Sequence, residues 1–160
     1  MKRSARVFVF LASILVCQGA GVLGSVFTAP AIPTWYAGLK KPPFNPPDWI
    51  FAPVWTTLFL LMGISLYLVW SKETLGKSKK AAVAAFAIQL ALNSLWSFLF
   101  FGLRAPLFGL LEIVVLWLFI LLTLLLFYRL SRPAAFLLLP YLVWVSFATA
   151  LNYALFALNR

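Results

Sequence analysis

The sequence contains no histidine and only three carboxylates, Asp48, Glu73 and Glu112, among its 160 residues. Without histidine, the chain has no imidazole to act as an acid–base catalyst, to bind zinc or to ligate haem iron. Three scattered carboxylates are too few for a carboxylate-built metal site. The single cysteine, Cys17, permits no intrachain disulfide. We therefore expect no metal site, and the residue types assure no catalytic residue.

Charged side chains are also scarce, at 10% of the chain, whereas 64% of the residues are hydrophobic. A soluble domain carries roughly 25% charged and 45–50% apolar residues. The composition predicts an integral membrane protein, and the length suits a single domain covering residues 1–160. The net charge of +10 does not indicate nucleic-acid binding, because the basic residues lie between the apolar runs rather than on one face. Such clusters are typical of membrane topology and of contact with lipid headgroups in the bilayer.

Five apolar runs are each long enough to cross a bilayer, whose ~30 Å hydrocarbon core takes about 20 helical residues. Strands are excluded because no alternating pattern is present and lipid does not tolerate open sheet edges. We predict an all-α membrane protein, a bundle of five transmembrane helices. The first run follows Lys2, Arg3 and Arg6 as in a signal peptide, but its apolar character continues past Gly24 to Phe27, which favours a retained helix. The predicted helices cover residues 7–27, 49–70, 81–103, 106–130 and 134–158.

The basic residues are distributed unequally between the two ends of the predicted bundle. Nine Lys and Arg residues lie at the N-terminus and in the second and fourth connections, and four lie in the other connections and at the C-terminus. Because cytoplasmic segments carry the excess of Lys and Arg, the sequence predicts a cytoplasmic N-terminus and a C-terminus on the outside.

The one long connection, residues 28–48, is rich in proline and aromatic residues, as the stretch TWYAGLKKPPFNPPDWIFAPVW at 34–55 shows. The Pro-Pro pairs at 42–43 and 46–47 fix φ and push the preceding residues into extended geometry, which predicts a stiff, non-helical, polyproline-like segment. An interfacial aromatic belt would explain a single tryptophan. Four prolines that hold several aromatic side chains in place favour a lid over the mouth of the bundle. The aromatic side chains of this lid are Trp35, Tyr36 and Phe44.

Polar side chains at membrane depth usually face the bundle interior, and two predicted spans carry them at helical spacing beside large aromatics. Trp55, one turn into the second span, can join both faces. Hydrogen bonding between helices, for example of Asn93 with Asn152, is the simpler interpretation, but it accounts less well for the aromatics. An aromatic pocket with a few polar groups is the normal form of a small-molecule site, and we predict one here. The faces are Gln89, Asn93, Trp96 and Phe100 in the third span, and Pro140, Trp144, Phe147, Ala148, Leu151 and Asn152 in the fifth.

Small residues spaced four apart in the third predicted span permit close approach of another helix. The pairs are Ala81 with Ala85 and Ala87 with Ala91. This pattern favours internal packing and a homodimer equally.

Four stretches together resemble the TspO/MBR family, the tryptophan-rich sensory proteins related to the translocator protein or peripheral-type benzodiazepine receptor. They are WYAGLKKPPFNPP at 35–47, the Pro53-x-Trp55 pair, QLALNSLWSFLFFGLR at 89–104 and PYLVWVSFATALN at 140–152. The joint match covers four helices and the long loop, and it is far more specific than any one motif. The resemblance implies a five-helix bundle, often dimeric, with the first loop folded over a ligand pocket. It places Tyr36, Pro46, Trp55, Asn93, Trp96, Trp144, Phe147 and Ala148 in that pocket, and the face patterns add Gln89 and Asn152.

The resemblance also implies porphyrin binding, notably of protoporphyrin IX, and in some members binding of sterols or benzodiazepine-type drugs. We expect a sensor or carrier of tetrapyrroles with no tightly bound cofactor. One alternative is a light- and oxygen-dependent porphyrin-degrading enzyme, for which the resemblance makes Trp55 and Trp144 the candidate catalytic residues. Another is a sterol or small-molecule translocator, although the sterol-contact pattern of the animal members is not intact here: Leu151, Tyr153 and Arg160 miss it by one residue of spacing.

A porphyrin is a flat aromatic disc with two propionates, and tryptophan faces stack on such discs at centroid distances of roughly 4.5–7 Å. Asn93 and main-chain amides are candidates for its polar edge. Lys40 and Lys41 are placed to attract the propionates. Because the chain has no histidine to ligate iron, metal-free porphyrin should bind at least as well as haem.

Overall fold

The computed structural model describes residues 3–72 and 76–160. Lys2 of the predicted N-terminal basic cluster and Glu73 of the second connection lie outside the described residues. Every long element is a helix, no described residue forms a strand, and five helices are long and apolar enough to span a membrane. The predicted all-α bundle of five transmembrane helices is confirmed. The helices are α1 (Arg3–Ala31), α2 (Phe51–Trp70), α3 (Lys77–Ser97), α4 (Pro106–Leu130) and α5 (Arg132–Leu158).

Some helix ends match the predicted boundaries: α4 covers residues 106–130, and α2 and α5 end at Trp70 and Leu158. The other ends differ. α1 and α3 begin four residues earlier than predicted, and α5 begins two residues earlier. The apolar runs mark the hydrocarbon core, whereas the helices continue into the headgroup region with polar and basic residues. α1 also continues past the predicted end to Ala31, with Pro30 in its last turn. A proline there removes only one main-chain donor close to where the helix ends anyway.

α4 packs mainly against α3 and α5, while α1 packs against α2 and α3, and α2 also contacts α5. Close contacts between backbones set these positions. A Cβ placed on Gly63 would lie 2.8 Å from the Cα of Ile14, so α1 and α2 touch directly there. Ser65 Oγ donates to the carbonyl of Ala134 at 2.7 Å and ties α2 to α5. α1 is peripheral. Of the most apolar 18-residue stretch in each helix, 17% is buried inside the bundle in α1 and 33–39% in the other four helices.

The long loop between α1 and α2 combines extended and turn-like segments. Leu39 (φ −74°, ψ 146°) and Pro47 (φ −56°, ψ 141°) have the polyproline-like geometry that the prolines predict. Two short 3-10 turns, Tyr36–Gly38 and Asp48–Ile50, correct the expectation of a wholly non-helical segment. Turns of one 3-10 repeat fit between prolines because they need only a few consecutive main-chain donors.

The loop is fastened to itself through Tyr36, which is buried. Its hydroxyl donates to Asn45 Oδ1 at 2.7 Å, and Asn45 Nδ2 donates to the carbonyl of Pro46 at 3.0 Å. The ammonium of Lys41 lies 4.9 Å above the Tyr36 ring. Phe44, by contrast, is 50% exposed and only its ring edge reaches Phe147 on α5. Tyr36 and Trp35 therefore form the apolar underside that the sequence predicts, and Phe44 contributes little to it.

A widened turn of five residues, Phe98–Gly102, ends the third span. The N–H of Leu103 donates to the carbonyl of Phe98 at 2.8 Å, a π-type bond. The extra residue in this turn brings two consecutive rings, Phe100 and Phe101, into the interior. Arg104 then takes a left-handed conformation (φ 53°), which breaks the helix and directs the chain into α4.

The small residues of α3 do not all share one environment. Ala85 is buried inside the bundle, whereas Ala81, Ala87 and Ala91 are exposed. The first predicted pair is thus divided between the interior and the surface, and the second pair faces outward. Dimerisation through this face stays a prediction.

Candidate functional site

Four aromatic rings from α2 and the third span form a continuous series, which we call the aromatic ladder. Phe59 and Trp55 lie 5.7 Å apart with an interplanar angle of 31°, and Trp55 and Trp96 lie 6.5 Å apart at 32°. Trp96 stacks on Phe100 at 5.4 Å and 18°. Residues four apart on one helix share a face, so α2 supplies one pair and the third span, through its widened turn, supplies the other. The ladder is thus a continuous series of ring contacts inside the bundle.

One side of the ladder borders a small cavity between α2, α3, α5 and the loop. Its volume is about 30 Å³, which is about the share of one water molecule in the liquid. Six predicted pocket residues line it, so the structure does bring together the side chains that the sequence groups. These six are Tyr36, Trp55, Trp96, Trp144, Ala148 and Asn152. The space among them is nearly filled by their own rings.

The other side of the ladder borders a larger cleft of about 280 Å³ between α1, α2 and the end of α3. We call this space the α1–α2 cleft. Both spaces are lined by Phe51, Trp55, Trp96 and Phe101, so these four rings form the partition between them. Predicted residues in the cleft are Trp55, Asn93 and Trp96. The remaining side chains are Gln18, Gly21, Val22, Gly24, Ser25, Thr28, Ala29, Ile32, Asp48, Phe51, Ala52, Thr56, Phe59, Ser97 and Phe101.

Buried amides hold this region together, although not in the pairing that the sequence suggests. Asn93 Nδ2 donates to the hydroxyl of Tyr141 at 2.7 Å. Asn152 accepts from Trp96 Nε1 at 3.1 Å and donates to the carbonyl of Pro106 at 2.9 Å. Asn93 and Asn152 thus bind different partners, and the expected Asn93–Asn152 pair is not present. Each amide joins helices and also positions a cavity wall.

Three predicted pocket residues lie elsewhere. Gln89 is buried deeper in α3, where its Nε2 contacts Met62 Sδ at 3.8 Å. Pro46 belongs to the self-fastened part of the loop, and Phe147 packs between Phe44 and Trp144. None of the three lines either of the two cavities. Pro140, which the α5 pattern also includes, is exposed.

Residues of α1 are the main part of the site that the sequence reasoning missed. Gln18, Gly21, Ser25 and Thr28 occupy one helical face and form a whole wall of the cleft. A pattern was available, because small and polar residues recur there at intervals of three and four in an otherwise apolar run. The run was interpreted only by its apolar residues, as a signal peptide or as a retained helix.

Charge is concentrated at the loop end of the bundle, meaning the end that carries the 28–48 loop. Asp48 lines the cleft and is the one ionisable side chain among the described residues of its wall. Lys40 is exposed. Lys41 is partly engaged, since its Nζ donates to the carbonyl of Ala37 at 3.2 Å while lying over Tyr36. Burial raises the pKa of Tyr36 to about 12, and the charge of Asp48 adds to the increase, so this loop hydroxyl is a neutral donor at physiological pH.

The five apolar helices define a multi-pass integral membrane protein, and its interior contains the aromatic ladder. The sequence profile of the TspO/MBR family matches residues 13–158, and the chain belongs to that family. This range includes most of α1, so the helix whose retention was in question is part of the family domain.

Relatives are found in archaea, bacteria and animals. The chain is 49% identical over 149 residues to the tryptophan-rich protein TspO of Archaeoglobus fulgidus, covering 93% of this chain and 95% of the relative. It is 43% identical over 142 residues to the translocator protein of Bos taurus, covering 88% and 83% respectively. It is 36% identical over 150 residues to the tryptophan-rich sensory protein of Cereibacter sphaeroides, covering 94% and 90%.

Proposed function

We propose that this protein binds a tetrapyrrole in the membrane and acts as a sensor or carrier for it. The observation that supports this proposal most strongly is the aromatic ladder, whose two indoles border a cleft of about 280 Å³. Flat aromatic molecules gain both burial and ring stacking on such a surface. The names of two relatives, a sensory protein and a translocator protein, agree with a role in sensing or carrying.

The dimensions of the two cavities favour the cleft as the place for the ring. Sites for small molecules usually occupy about 300–1,000 Å³, a range that the 280 Å³ cleft approaches and the 30 Å³ cavity does not. In the cleft, a disc would lie against Trp55 and Trp96 with Asn93 below them. Nothing in the wall is a histidine, cysteine or methionine, so we propose that recognition depends on the ring and not on a coordinated metal.

The charge at the cleft indicates how a dicarboxylate ring would be oriented. Asp48 in the cleft wall repels a second carboxylate, whereas the exposed ammonium of Lys40 lies on the neighbouring loop. We propose that the apolar edge of the ring points into the cleft and that the propionates stay at the level of the headgroups.

Binding is tested with purified protein in detergent, using protoporphyrin IX, its Soret band and tryptophan fluorescence. We expect saturable quenching in darkness, and at least a tenfold weaker affinity in Trp96→Leu, because one stacked ring face is worth about 0.5–1.5 kcal/mol beyond the area that it buries. Trp117→Leu is the matched control, since Trp117 bonds Ser146 on the outer side of α5 and lines neither cavity. Non-saturable quenching, or equal affinities of the two variants, would refute the proposal.

A second function, light- and oxygen-dependent breakdown of the porphyrin, is favoured by one observation. Trp55 lines both the cleft proposed for the ring and the small cavity behind it, where the buried Nε1 of Trp144 has no hydrogen-bond partner among the described residues. In this scheme the excited porphyrin supplies the reactivity, as cofactors generally do. Trp55 is its redox-active neighbour, and Trp144 lies behind it as a second redox-active indole. Bleaching under illumination that is lost in Trp144→Phe but retained in Trp117→Phe would establish this activity.

We also propose that the N-terminus lies in the cytoplasm, on the basis of the unequal distribution of Lys and Arg. The loop and the C-terminus then lie together outside. Single cysteines at Lys40 and Lys80, each in a Cys17→Ala background, test this arrangement with a membrane-impermeant thiol reagent on intact cells. Labelling at position 40 alone is the expected result, and labelling at position 80 alone would reverse the topology.

A further inference from the structure

α1 and α2 touch at one end of the bundle and separate towards the loop end. Near the start of α1, Phe10 packs edge-on against Tyr67 with centroids 5.2 Å apart. One turn further, the backbone of Ile14 reaches Gly63. Gln18 Nε2 then donates to the carbonyl of Thr56 at 3.1 Å, and the backbone of Gly21 still lies against the ring of Phe59. Beyond Gly21 the α1–α2 cleft opens.

Over the same length α1 stays in contact with α3, so the side of the cleft between α1 and α3 is closed. Ser94 Oγ on α3 donates to the carbonyl of Ala20 at 3.1 Å. A Cβ on Gly24 would lie 3.0 Å from Ser97 Oγ, which shows how closely the two helices approach there. The opening therefore lies between α1 and α2, on the outer surface of the bundle.

The rims of this opening belong to two helices that are long and apolar enough to span a membrane. Ser25 and Ala29 on α1 and Ala52 and Thr56 on α2 line the cleft and are exposed. They are small, and their neighbours on the surface of α1 include Val22 and Val26, which are 65% and 61% exposed. The length of these helices puts the opening in the outer part of the bilayer, next to the headgroups at the loop end. A molecule dissolved in the membrane thus reaches the cleft without crossing a layer of large side chains.

The route from the water is covered on the other side of the ladder. The middle of the loop lies over the small cavity, which Tyr36 lines. Asn159 at the end of α5 binds the main chain of Lys40 through two hydrogen bonds of 2.9 Å. Within the described part of the chain, the 28–48 segment reaches the cleft at its two ends, at Thr28, Ala29 and Ile32 on one side and at Asp48 on the other.

The inner wall of the cleft offers a polar atom to an arriving ring. Asn93 is 4% exposed, and its only side-chain hydrogen bond within the described part of the chain is the donation from Nδ2 to Tyr141. Asn93 lines the cleft, and its Oδ1 is left as an acceptor for a donor group of the ligand. A buried amide placed at the end of a lipid-facing opening is otherwise costly.

From these observations we propose that the ligand enters and leaves laterally, from the half of the bilayer at the loop end, through the opening between Ser25 on α1 and Ala52 on α2. The proposal rests on tetrapyrrole binding as the function. The lateral route also specifies the ligand class: a flat ring that is dissolved in the membrane and enters the cleft with its apolar edge first. The loop stays fastened during this movement.

Two reversible cross-links distinguish this route from entry beneath the loop, both in a Cys17→Ala background. The rim lock joins Ser25→Cys to Ala52→Cys with a flexible, reductant-cleavable thiol linker. The loop lock joins Lys40→Cys to Asn159→Cys in the same way. Each variant reconstituted in vesicles is compared before cross-linking, after cross-linking and after reduction, so the reduced protein is its own folding control. Protoporphyrin IX is supplied from donor vesicles, and uptake and release are followed by tryptophan quenching.

We expect the rim lock to slow uptake at least tenfold, to trap ligand that was bound beforehand, and to be reversed by reduction. The loop lock should leave both rates within about twofold of those of the same variant after reduction, a comparison in which the Lys40 ammonium is absent from both states. Slowed uptake with the loop lock, or unchanged uptake with the rim lock, would overturn the lateral route. The two proposals fail in different ways: if the reduced proteins do not bind protoporphyrin IX, the proposed function itself is wrong and the route is wrong with it.

Discussion

Asn159 binds both main-chain groups of Lys40, a residue 119 positions earlier in the chain. The N–H of Lys40 donates to Asn159 Oδ1 at 2.9 Å, and Asn159 Nδ2 donates to the carbonyl of Lys40 at 2.9 Å. Nδ2 also donates to the carbonyl of Leu155 at 2.8 Å, which fixes the amide on the last turn of α5. The side chain of Asn159 thus makes the two main-chain hydrogen bonds that a neighbouring β-strand would make, and it fastens the loop to the C-terminal end of the bundle.

Asn159→Ala should release the loop at this point. Two hydrogen bonds contribute about 1–3 kcal/mol together, so the local opening constant should rise roughly five- to 150-fold. Hydrogen exchange at the Lys40 amide measures this directly. Arg160→Ala, one residue further along and exposed, is the control. Unchanged exchange in Asn159→Ala would show that the rest of the loop holds Lys40 without the amide.

Tyr36 should titrate only at strongly alkaline pH. Its pKa is raised to about 12 by burial first and by Asp48 second, against about 10 in the unfolded chain. The unfolded state therefore loses its proton before the folded state does. The contribution of this residue to stability is fully present below pH 10 and decreases as the pH rises from about 10 to 12. The difference in phenolate absorbance between the native protein and Tyr36→Phe measures the titration, and a midpoint near 10 would contradict the burial of the hydroxyl.

Gly21→Ala should disturb the aromatic ladder, whereas Gly19→Ala should not. A Cβ at Gly21 would lie 2.6 Å from Phe59 Cδ2, and a Cβ at Gly19 meets nothing within 4 Å. The Phe59 ring has to move, and it packs on Trp55. We expect a shift in tryptophan emission and a loss of about 1–2 kcal/mol in Gly21→Ala, because overpacking costs more than the helix propensity gained. Identical melting temperatures and emission spectra of the two variants would argue against this packing.

The buried amides should show a definite pattern of energetic coupling. Asn93→Ala and Tyr141→Phe should be non-additive by about 0.6–1.7 kcal/mol, the range measured for hydrogen bonds between membrane helices. Asn93→Ala and Asn152→Ala should be additive within about 0.5 kcal/mol, because these two amides bind different partners. Two double-mutant cycles, one for each pair of residues, are measured from the free energies of unfolding in detergent and denaturant. Strong coupling of Asn93 with Asn152 would instead indicate the direct hydrogen bond between these two amides that the sequence suggests.

Asp48→Asn should strengthen the binding of protoporphyrin IX and leave its uncharged dimethyl ester unaffected. Asp48 lies in the cleft wall, and at an effective dielectric constant near 20 two charges several ångströms apart repel by a few kcal/mol before screening. Because Asp48 is exposed, we expect a gain of only two- to tenfold, reduced at high salt. Equal gains for the diacid and the ester would indicate a change in shape and not in charge.

The sequence predicted the parts of the site that depend on periodicity within one helix. Trp55, Trp96, Trp144, Ala148 and Asn152 all line the small cavity, because residues three and four apart share a helix face in any packing. Their role in binding a ligand stays a prediction. The long loop was also predictable, since its prolines restrict the backbone locally and independently of the rest of the chain.

The partners of those faces were not predictable in the same way. Asn93 pairs with Tyr141 and not with Asn152, because the rotation and depth of each helix decide which polar groups meet. The widened turn at Phe98–Gly102 brings Phe101 inward beside Phe100, which a regular 3.6-residue repeat does not anticipate. Gln89 satisfies the periodic pattern, yet it lies too deep to reach either cavity.

The sequence by itself determined that this is a five-helix membrane protein with an aromatic interior and a stiff proline loop, because hydropathy, helical period and proline geometry are local properties. Only the tertiary structure decided where the open space lies. The rings of α2, α3 and α5 nearly fill the centre that was expected to be hollow, and the larger space lies beside α1. The position of the open space depends on how far neighbouring helices separate, which is set by contacts such as Ile14 with Gly63. Such contacts join distant segments, so no single segment of the sequence predicts them.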